Sequence, residues 1–415
     1  MKRNVIVGQS GGPTAAINSS LAGVYRTAKD RGANKVYGML HGVQGLLEEK
    51  YIDLSDHIKT ELDAELLKRT PAAFLGSCRY KLPEIHEDRD VYERIFGILD
   101  KLDIEAFIYI GGNDSMDTIK KLSDYAIITG HPTRFIGCPK TIDNDLALTD
   151  HTPGYGSAAK YIGTSMKEII RDSFCLEYSN GLVSIVEIMG RNAGWLTGAA
   201  ALSKGEDCEG PDLIYLPELP FELEKFGEKV RKLLEKKPSV VVAVSEGIHT
   251  ADGTYICELG SSVDFVDAFG HKQLSGTASY LASYIAGEIG CKTRSIELST
   301  LQRSASHAAS RVDILEAYQV GGAAVKAADE GDSGKMVVLQ RLSDDPYQCG
   351  TEVKDVHKIA NDEKLVPREW VNEEGTYVTN EFISYVRPLI QGDVSPVMVD
   401  GIPRHLYTPR ELSEK

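Results

Sequence analysis

Short apolar runs alternate with glycine turns and helical spacings along the first 345 residues of the chain. Val5–Val7 leads into a glycine turn, and apolar residues then recur at positions 17, 21, 24, 25 and 28, which is the spacing of one helix face. The runs Ala106–Ile110, Leu182–Met189 and Val240–Val244 also end in glycine-containing turns. Apolar strands that alternate with helices are typical of parallel sheets covered on both faces. The expected fold class is therefore α/β with mainly parallel sheets.

The same pattern predicts how the chain is divided. We expect one lobe at about 1–145, to which residues of about 305–345 return, and a second lobe at 146–304. An Ala-rich helix is expected from about residue 193 and another helix from about 307 to 330. Residues 346–415 are more polar, with loop signals at Asp344-Asp345-Pro346 and Glu373-Glu374-Gly375. They form a C-terminal extension whose role the sequence does not indicate.

Composition and charge exclude several classes of protein. The 46 basic and 61 acidic residues give a net charge of −15, which argues against nucleic acid and anionic membranes as partners. No run approaches the roughly 18 apolar residues of a membrane span, and the first residues lack the apolar core of a signal peptide. The seven cysteines are scattered, without a C-x-x-C pair, so neither a disulfide framework nor a zinc site is indicated. A cytoplasmic location is expected.

Three turns that follow predicted strands carry candidate chemistry. Gly8–Thr14 could hold a phosphate with its backbone N–H groups, or could simply be a tight strand-to-helix connection. Gly111–Ser115 opens a helix, which its acidic and hydroxyl side chains could merely cap. Pro139–Asp145 contains Lys140 and two Asp residues two positions apart, a set suited to phosphoryl transfer but also typical of a simple turn.

Further charged residues stand near the ends of other strands. They are Arg191, Glu246, Arg294 and Arg303. Each alone would usually be a solvated surface group. Because ligands of parallel α/β sheets bind at the carboxyl ends of the strands, this spread of cations and carboxylates predicts phosphorylated substrates.

Seven short motifs occur in a fixed order along the chain. They are Ser10-Gly11-Gly12, Phe74–Arg79, Ile110-Gly111-Gly112, Thr141–Asp145, Val186–Arg191, Thr293-Arg294 and Gln302-Arg303. In these motifs the chain resembles the 6-phosphofructokinases over roughly residues 3–345. The resemblance implies two Rossmann-like lobes with the active site in the cleft between them, and a role in glycolysis or gluconeogenesis.

The resemblance also implies a role for each matching residue. Asp143 would be the base that takes the proton from the sugar 1-hydroxyl, and Lys140, Asp114 and Arg191 would be further catalytic residues. The residues implied for the sugar phosphate are Thr141, Ile142, Asp143, Met189, Gly190, Arg191, Glu246, Arg294 and Arg303. Those implied for the phosphoryl donor are Gly11, Gly12, Arg79, Gly112 and Asp114.

Asp114 bears on the identity of the phosphoryl donor. ATP-using members of the family that the chain resembles carry Gly at this position, where the α-phosphate and ribose of the nucleotide pass. A carboxylate adds bulk there and repels the α-phosphate. The chain is therefore most similar to the diphosphate-dependent class, in which a Lys at the Lys140 position contacts the donor. The implied reaction is reversible transfer from diphosphate to fructose 6-phosphate, giving fructose 1,6-bisphosphate and phosphate.

Several alternatives stay open at this point. An ATP-dependent 6-phosphofructokinase and a sedoheptulose-7-phosphate kinase belong to the same class of enzyme. A non-catalytic regulatory subunit is a different class, against which the intact Asp143, Arg191 and Lys140 argue. An NAD-dependent dehydrogenase would need a G-x-G-x-x-G turn and an acidic ribose partner, which the sequence lacks.

The implied cofactor is Mg²⁺, near Asn113 and Asp145, and the implied assembly is a homodimer or homotetramer. Asn113 stands where the family usually carries Asp, so one metal-side carboxylate is replaced by a neutral carbonyl. Thr300 replaces a His, Leu182 replaces an Arg that reaches a neighbouring subunit in ATP-using relatives, and Ser304-Ala305 replaces a Gly-Gly pair. These departures concern sugar recognition and the contact between subunits.

Overall fold

The computed structural model describes residues 1, 3–260, 274–359 and 362–409 of the 415-residue chain. Its strands are, in chain order, β1 (Asn4–Gln9), β2 (Val36–Met39), β3 (Tyr51–Asp53), β4 (Ile104–Gly111), β5 (Arg134–Pro139), β6 (Leu182–Ile188), β7 (Leu213–Tyr215), β8 (Ser239–Ser245), β9 (Lys292–Glu297), β10 (Lys335–Asp344), β11 (Tyr347–Asp355), β12 (Met398–Val399) and β13 (Ile402–Pro403).

The α-helices of the same residues are α1 (Ile17–Asp30), α2 (Gly42–Leu47), α3 (Glu61–Arg69), α4 (Arg89–Lys101), α5 (Asn113–Thr129), α6 (Tyr155–Phe174), α7 (Trp195–Gly198), α8 (Leu223–Leu234), α9 (Thr277–Ile289), α10 (Leu301–Ser304), α11 (Arg311–Glu330) and α12 (Asn380–Val386). Within the described ranges, none of these helices is long and apolar enough to cross a membrane.

Two mainly parallel sheets organise the fold and confirm the predicted class. The first sheet has the strand order β11-β10-β5-β4-β1-β2-β3, in which only the edge strands β3 and β11 run antiparallel to their neighbours. The second has the order β7-β8-β6-β9 and is parallel throughout. The strands that precede the turns with candidate catalytic or binding residues are parallel within their sheet. Those turns therefore lie at the same edge of each sheet.

Both faces of the first sheet are covered, as the apolar strands require. Val5 and Val7 of β1 pack with α1 and α11 on one face, whereas Ile6 packs with α4 and α5 on the other. The helices α1 and α11 approach closely because they meet at glycines. A Cβ atom on Gly23 would lie 2.1 Å from the carbonyl oxygen of Tyr318.

The C-terminal residues pack against the second sheet and the neighbouring loops. Phe382 is fully buried and stacks on Trp195, with ring centroids 5.9 Å apart. The Trp370 ring meets the same indole edge-on at 6.0 Å, and Tyr385 lies 5.2 Å from it. This aromatic cluster attaches residues 366–390 to the face of the second sheet formed by β6 and β8.

The structure corrects three local predictions. The expected Ala-rich helix from residue 193 is only the four-residue α7, which is followed by a 3-10 turn at Ala199–Ser203. The helix expected from about 307 begins at Arg311, because the Ser310 side chain caps it by accepting a hydrogen bond from Asp313 N–H. The boundary expected at 345/346 falls in the turn of the β10–β11 hairpin, so the first sheet continues to residue 355.

Candidate active site

A cavity of about 750 Å³ opens between the carboxyl ends of the strands of the two sheets. Turns after β1, β4 and β5 line it from the first sheet, and the ends of β6, β8 and β9 line it from the second. The sequence-predicted residues that line it are Gly11, Gly12, Arg79, Gly112, Asn113, Asp114, Lys140, Thr141, Ile142, Asp143, Asp145, Met189, Arg191, Glu246 and Arg303. Residues that are far apart in the chain are thus brought to one site.

Two predicted residues do not line this cavity. Gly190 lies directly behind the wall, where its N–H donates to Glu246 Oε1 at 3.4 Å and its φ of +135° favours glycine. The structure places Arg294 outside the cavity of its own chain, and its role toward the sugar phosphate stays a prediction. Arg294 lies in the middle of β9, three residues before the cavity-lining Glu297, and its guanidinium pairs with Asp172 at 2.5 Å.

The turn Gly8–Thr14 lies close to the charged ends of Lys140 and Arg303. Lys140 Nζ donates a hydrogen bond to the carbonyl oxygen of Gly12 at 2.7 Å. A Cβ atom at Gly11 would lie 3.3 Å from the same ammonium, and one at Gly12 would lie 3.6 Å from Arg303 Nη1. Because the turn lacks side chains at these two positions, the cations can approach its backbone closely.

The second turn positions the start of α5 at the cavity wall. Its N-cap is Gly112, which has no side chain, so neither Asp114 nor Ser115 is the cap. Ser115 Oγ instead pairs with Ser10 Oγ at 2.9 Å, which joins the first two turns. The side-chain oxygen of Asn113 is buried without a hydrogen-bond partner among the described residues. A buried acceptor of this kind is suited to a cation or a donor group on a ligand.

The third turn holds one cation and two carboxyls in an enclosed setting. Lys140 is only 2 % exposed, and burial lowers the pKa of its ammonium to about 8, although Asp143 and Asp145 oppose the shift. The two carboxyls face the cavity but are otherwise surrounded by protein. Burial raises the pKa of Asp143, against the attraction of Lys140, and burial together with Asp143 raises the pKa of Asp145 to about 7.

Thr141 orients the side chain of Asp143. Its hydroxyl accepts a hydrogen bond from the Asp143 N–H at 3.1 Å and donates to Asp143 Oδ2 at 3.4 Å. The Thr-x-Asp spacing therefore has a local purpose, which is to fix the direction of the carboxyl.

The second sheet contributes another enclosed carboxyl. Glu246 follows β8, and its N–H donates to the carbonyl oxygen of Ile188 at 2.9 Å. Burial, aided by Asp143, raises the pKa of the Glu246 carboxyl to about 8. Across the cavity, burial and the nearby Arg79 lower the pKa of Arg303. Such shifted carboxyls and cations in one cleft are typical of sites that bind charged ligands and move protons.

Several cavity residues had no role predicted from the sequence, among them Glu187, Asn192, Glu297 and Glu363. Asn192 follows the Met-Gly-Arg run directly, so its position next to that motif was an available signal. Its amide donates to Glu363 Oε1 at 2.8 Å. Glu363 belongs to the C-terminal extension, where no motif marks it.

Cations and carboxyls at the ends of parallel strands define an α/β enzyme site for phosphorylated ligands. The "Phosphofructokinase" family model matches residues 4–328, and the chain belongs to this family.

Several proteins of this family are similar to the chain over nearly its whole length. A "Pyrophosphate--fructose 6-phosphate 1-phosphotransferase" of Xanthomonas campestris pv. campestris is 41% identical, with 97% of this chain and 95% of the relative aligned. The protein of the same name from Halomonas elongata is 39% identical at the same coverage. The crystal structure of a pyrophosphate-dependent phosphofructokinase from Nitrosospira multiformis superimposes with a TM-score of 0.87 at 35% identity, covering 97% of this chain and 95% of that one.

Proposed function

We propose that the protein reversibly transfers a phosphoryl group from diphosphate to the 1-hydroxyl of D-fructose 6-phosphate, giving D-fructose 1,6-bisphosphate and phosphate. Asp114 carries the proposal, because it brings a carboxylate to the cavity wall in the first turn of α5. A nucleotide would have to pass its α-phosphate by this charge, whereas a diphosphate is shorter and avoids it. The names of the Xanthomonas and Halomonas relatives support the same donor.

In this reaction Asp143 is the general base. Its carboxyl faces the cavity, is oriented by Thr141, and has a pKa raised by burial, which makes it a better proton acceptor than an ordinary aspartate. Lys140, Arg191 and Arg303 also line the cavity and supply positive charge there. Phosphoryl transfer needs mainly positioning and neutralisation of the charge on the transferred group, and this set of side chains supplies both.

The two sides of the cavity divide the substrates. We assign the donor to the side of the first sheet, with Gly11, Gly12, Arg79, Gly112 and Asp114, and the sugar phosphate to the side of the second sheet. The donor lobe then comprises residues 1–145 with about 305–355, because the β10–β11 hairpin belongs to the first sheet, and the sugar-phosphate lobe comprises 146–304. Arg294 has no part in this chain's own sugar site, since it points to Asp172.

We assign Mg²⁺ as the divalent cation of the reaction. The buried, unpartnered oxygen of Asn113 and the cavity-facing carboxyl of Asp145 are hard oxygen ligands of the kind that Mg²⁺ prefers. The ion would neutralise charge on the diphosphate. Because only one of these two ligands is charged, most of the ion's coordination falls to the diphosphate and water.

The test is a comparison of donors. The purified full-length chain is assayed with fructose 6-phosphate and Mg²⁺, and with either diphosphate or ATP. We expect turnover with diphosphate and little with ATP, and formation of diphosphate from fructose 1,6-bisphosphate and phosphate in the reverse direction. A higher kcat/KM with ATP would overturn the assignment of the donor. The same preparation, analysed by light scattering after size exclusion, tests the proposed homodimer or homotetramer.

A further inference from the structure

Residues 363–366 of the C-terminal extension pass between two loops of the site. One is the turn Pro139–Asp145, called the catalytic turn from here on, and the other is the loop that follows β6. Residue 363 pairs with residue 146 in an antiparallel bridge, and the Lys364 N–H donates to the carbonyl oxygen of Asp145 at 2.8 Å. On the other side, Trp195 Nε1 donates to the Lys364 carbonyl oxygen at 2.8 Å. Glu218 Oε1 accepts from the N–H groups of residues 366 and 194 at 2.9 and 2.8 Å. The segment therefore connects turns from both sides of the cavity.

The Lys364 ammonium is enclosed by oxygen atoms next to the catalytic turn. Its Nζ donates to the carbonyl oxygen of Asp150 at 2.6 Å and lies 3.2 Å from Asn144 Oδ1 and 3.4 Å from the carbonyl oxygen of Thr149. The indole ring of Trp195 covers it at 5.0 Å. Burial lowers the pKa of this ammonium to about 8, against the attraction of the nearby carboxylates.

Asn144 is the residue through which Lys364 reaches the site. It lies between Asp143 and Asp145, is fully buried, and adopts a left-handed conformation with φ of +55°. That conformation is rare for residues with a side chain, although Asn tolerates it best. If Asn144 left it, the backbone would redirect the carboxyls on either side.

Both polar atoms of the Asn144 side chain make hydrogen bonds. Its Oδ1 accepts from the N–H of Thr152 at 3.1 Å and from Lys364, and its Nδ2 donates to Tyr385 Oη at 2.9 Å. Tyr385 Oη in turn donates to the carbonyl oxygen of Asp150 at 2.5 Å. Two of the three side-chain contacts thus come from residues beyond 360. The C-terminal extension therefore supplies side chains that hold the catalytic turn in place through Asn144.

We propose that Lys364 is a positioning residue for phosphoryl transfer, which it serves by holding Asn144 so that Asp143 faces the substrate. This role rests on the proposed function, in which Asp143 is the base. Lys364 does not itself line the cavity. A displacement of about 1 Å at a reacting group can cost up to about 100-fold in rate, so loss of this contact should reduce turnover more than binding.

The test replaces Lys364 with Met in the full-length chain, and the matched control is Lys121→Met. Lys121 is also a buried lysine that donates to a main-chain carbonyl, that of Leu82 at 2.9 Å, but it lies outside the cavity. We expect kcat of Lys364→Met to fall at least about tenfold while KM for fructose 6-phosphate changes less than about threefold. The control should lose thermal stability and keep its kcat.

A second pair of variants keeps the proposal testable if Lys364→Met does not fold. Tyr385→Phe removes the hydroxyl that accepts a hydrogen bond from Asn144 Nδ2, and it should lower kcat about threefold or more. On an Asn144→Gly background, in which the backbone conformation stays accessible, Tyr385→Phe should have little further effect. An unchanged kcat in folded Lys364→Met or folded Tyr385→Phe would overturn the proposal.

The donor for these assays is the one that the unaltered enzyme uses better. If that donor is ATP, the proposed function fails in its donor, whereas the ratio of variant to unaltered kcat still decides the role of Lys364. A stability loss without a loss of kcat would mean that Lys364 is structural only.

Discussion

The catalytic turn Pro139–Asp145 and the C-terminal residues 362–390 meet at Asn144, yet they contribute to the site in different ways. The turn carries the charged groups that face the cavity, with pKa values shifted by burial. The C-terminal residues contribute aromatic and aliphatic side chains that pack around Trp195. Lys364 and Asn144 are 220 positions apart in the chain. The charged groups of the turn are local in sequence, whereas the geometry of the turn depends on distant residues.

Asp143→Asn should have the largest effect on turnover. The amide cannot accept the proton of the sugar hydroxyl, and general base catalysis typically contributes about 100- to 10,000-fold. We expect kcat to fall within that range while the melting temperature stays within a few degrees, as measured by steady-state kinetics and thermal unfolding. Asp207→Asn is the control, because Asp207 is a surface carboxylate paired with Lys167 at 2.7 Å. A kcat within tenfold of the unaltered enzyme would remove Asp143 from the role of base.

Asp114→Gly should weaken the preference for diphosphate. Removing the carboxylate relieves its repulsion of a nucleotide and also removes a group beside the donor. We expect kcat/KM for diphosphate to fall about 10- to 100-fold, or about 1.4–2.8 kcal/mol, and kcat/KM for ATP to rise. Asp114→Asn keeps the size and removes the charge, so it separates repulsion from bulk. If both variants kept full use of diphosphate, Asp114 would only favour the start of α5.

The parallel sheets were predictable because their strands are apolar throughout and end in glycine turns. β1, β4, β5, β6 and β8 were all anticipated within a few residues. The edge strand β9 and the hairpin of β10 and β11 were not anticipated, since β9, β11 and the second half of β10 contain many polar and exposed residues. The short α7 was not foreseen, because the Ala-rich residues that follow it are typical of a longer helix.

The site residues that stand in recognisable motifs were predictable from the sequence, whereas those that only packing brings to the site were not. Lys140, Asp143 and Asp145 stand in one motif, and the structure brings all three to the cavity. Glu363 and Lys364 lie beyond residue 328, where the match to the family ends. Their position follows from the path of the extension across the second sheet, which no local spacing encodes. Arg294 stands in a motif but lies outside the cavity of its own chain, because a motif match alone does not say which way a strand residue points.

The enclosed charges of the turn should give a bell-shaped dependence of kcat/KM on pH. Asp143 must be ionised to act as base, so its raised pKa moves the loss of activity on the acid side above that of an ordinary aspartate. Lys140 must be protonated to attract the donor, and its pKa of about 8 predicts a loss as the pH rises beyond that value. In Lys140→Arg, whose guanidinium stays charged, the alkaline loss should shift to higher pH. An alkaline limb that is the same in both enzymes would exclude Lys140 as its source.

Phe382→Leu should have the smallest effect on turnover and should act on stability instead. Phe382 is fully buried against Trp195 and Gly198, and shortening a core side chain of this kind costs about 1–2 kcal/mol. We expect a lower melting temperature with kcat within about twofold, since leucine still fills the space that supports α12. Leu365→Ala is the control, because this side chain is 47% exposed and should change the free energy of unfolding by less than about 0.5 kcal/mol. A tenfold loss of kcat in Phe382→Leu, measured well below its melting temperature, would mean that hydrophobic packing around Trp195 also sets the geometry of the catalytic turn. The geometry of the turn would then depend on this packing as well as on the polar contacts of Lys364 and Tyr385.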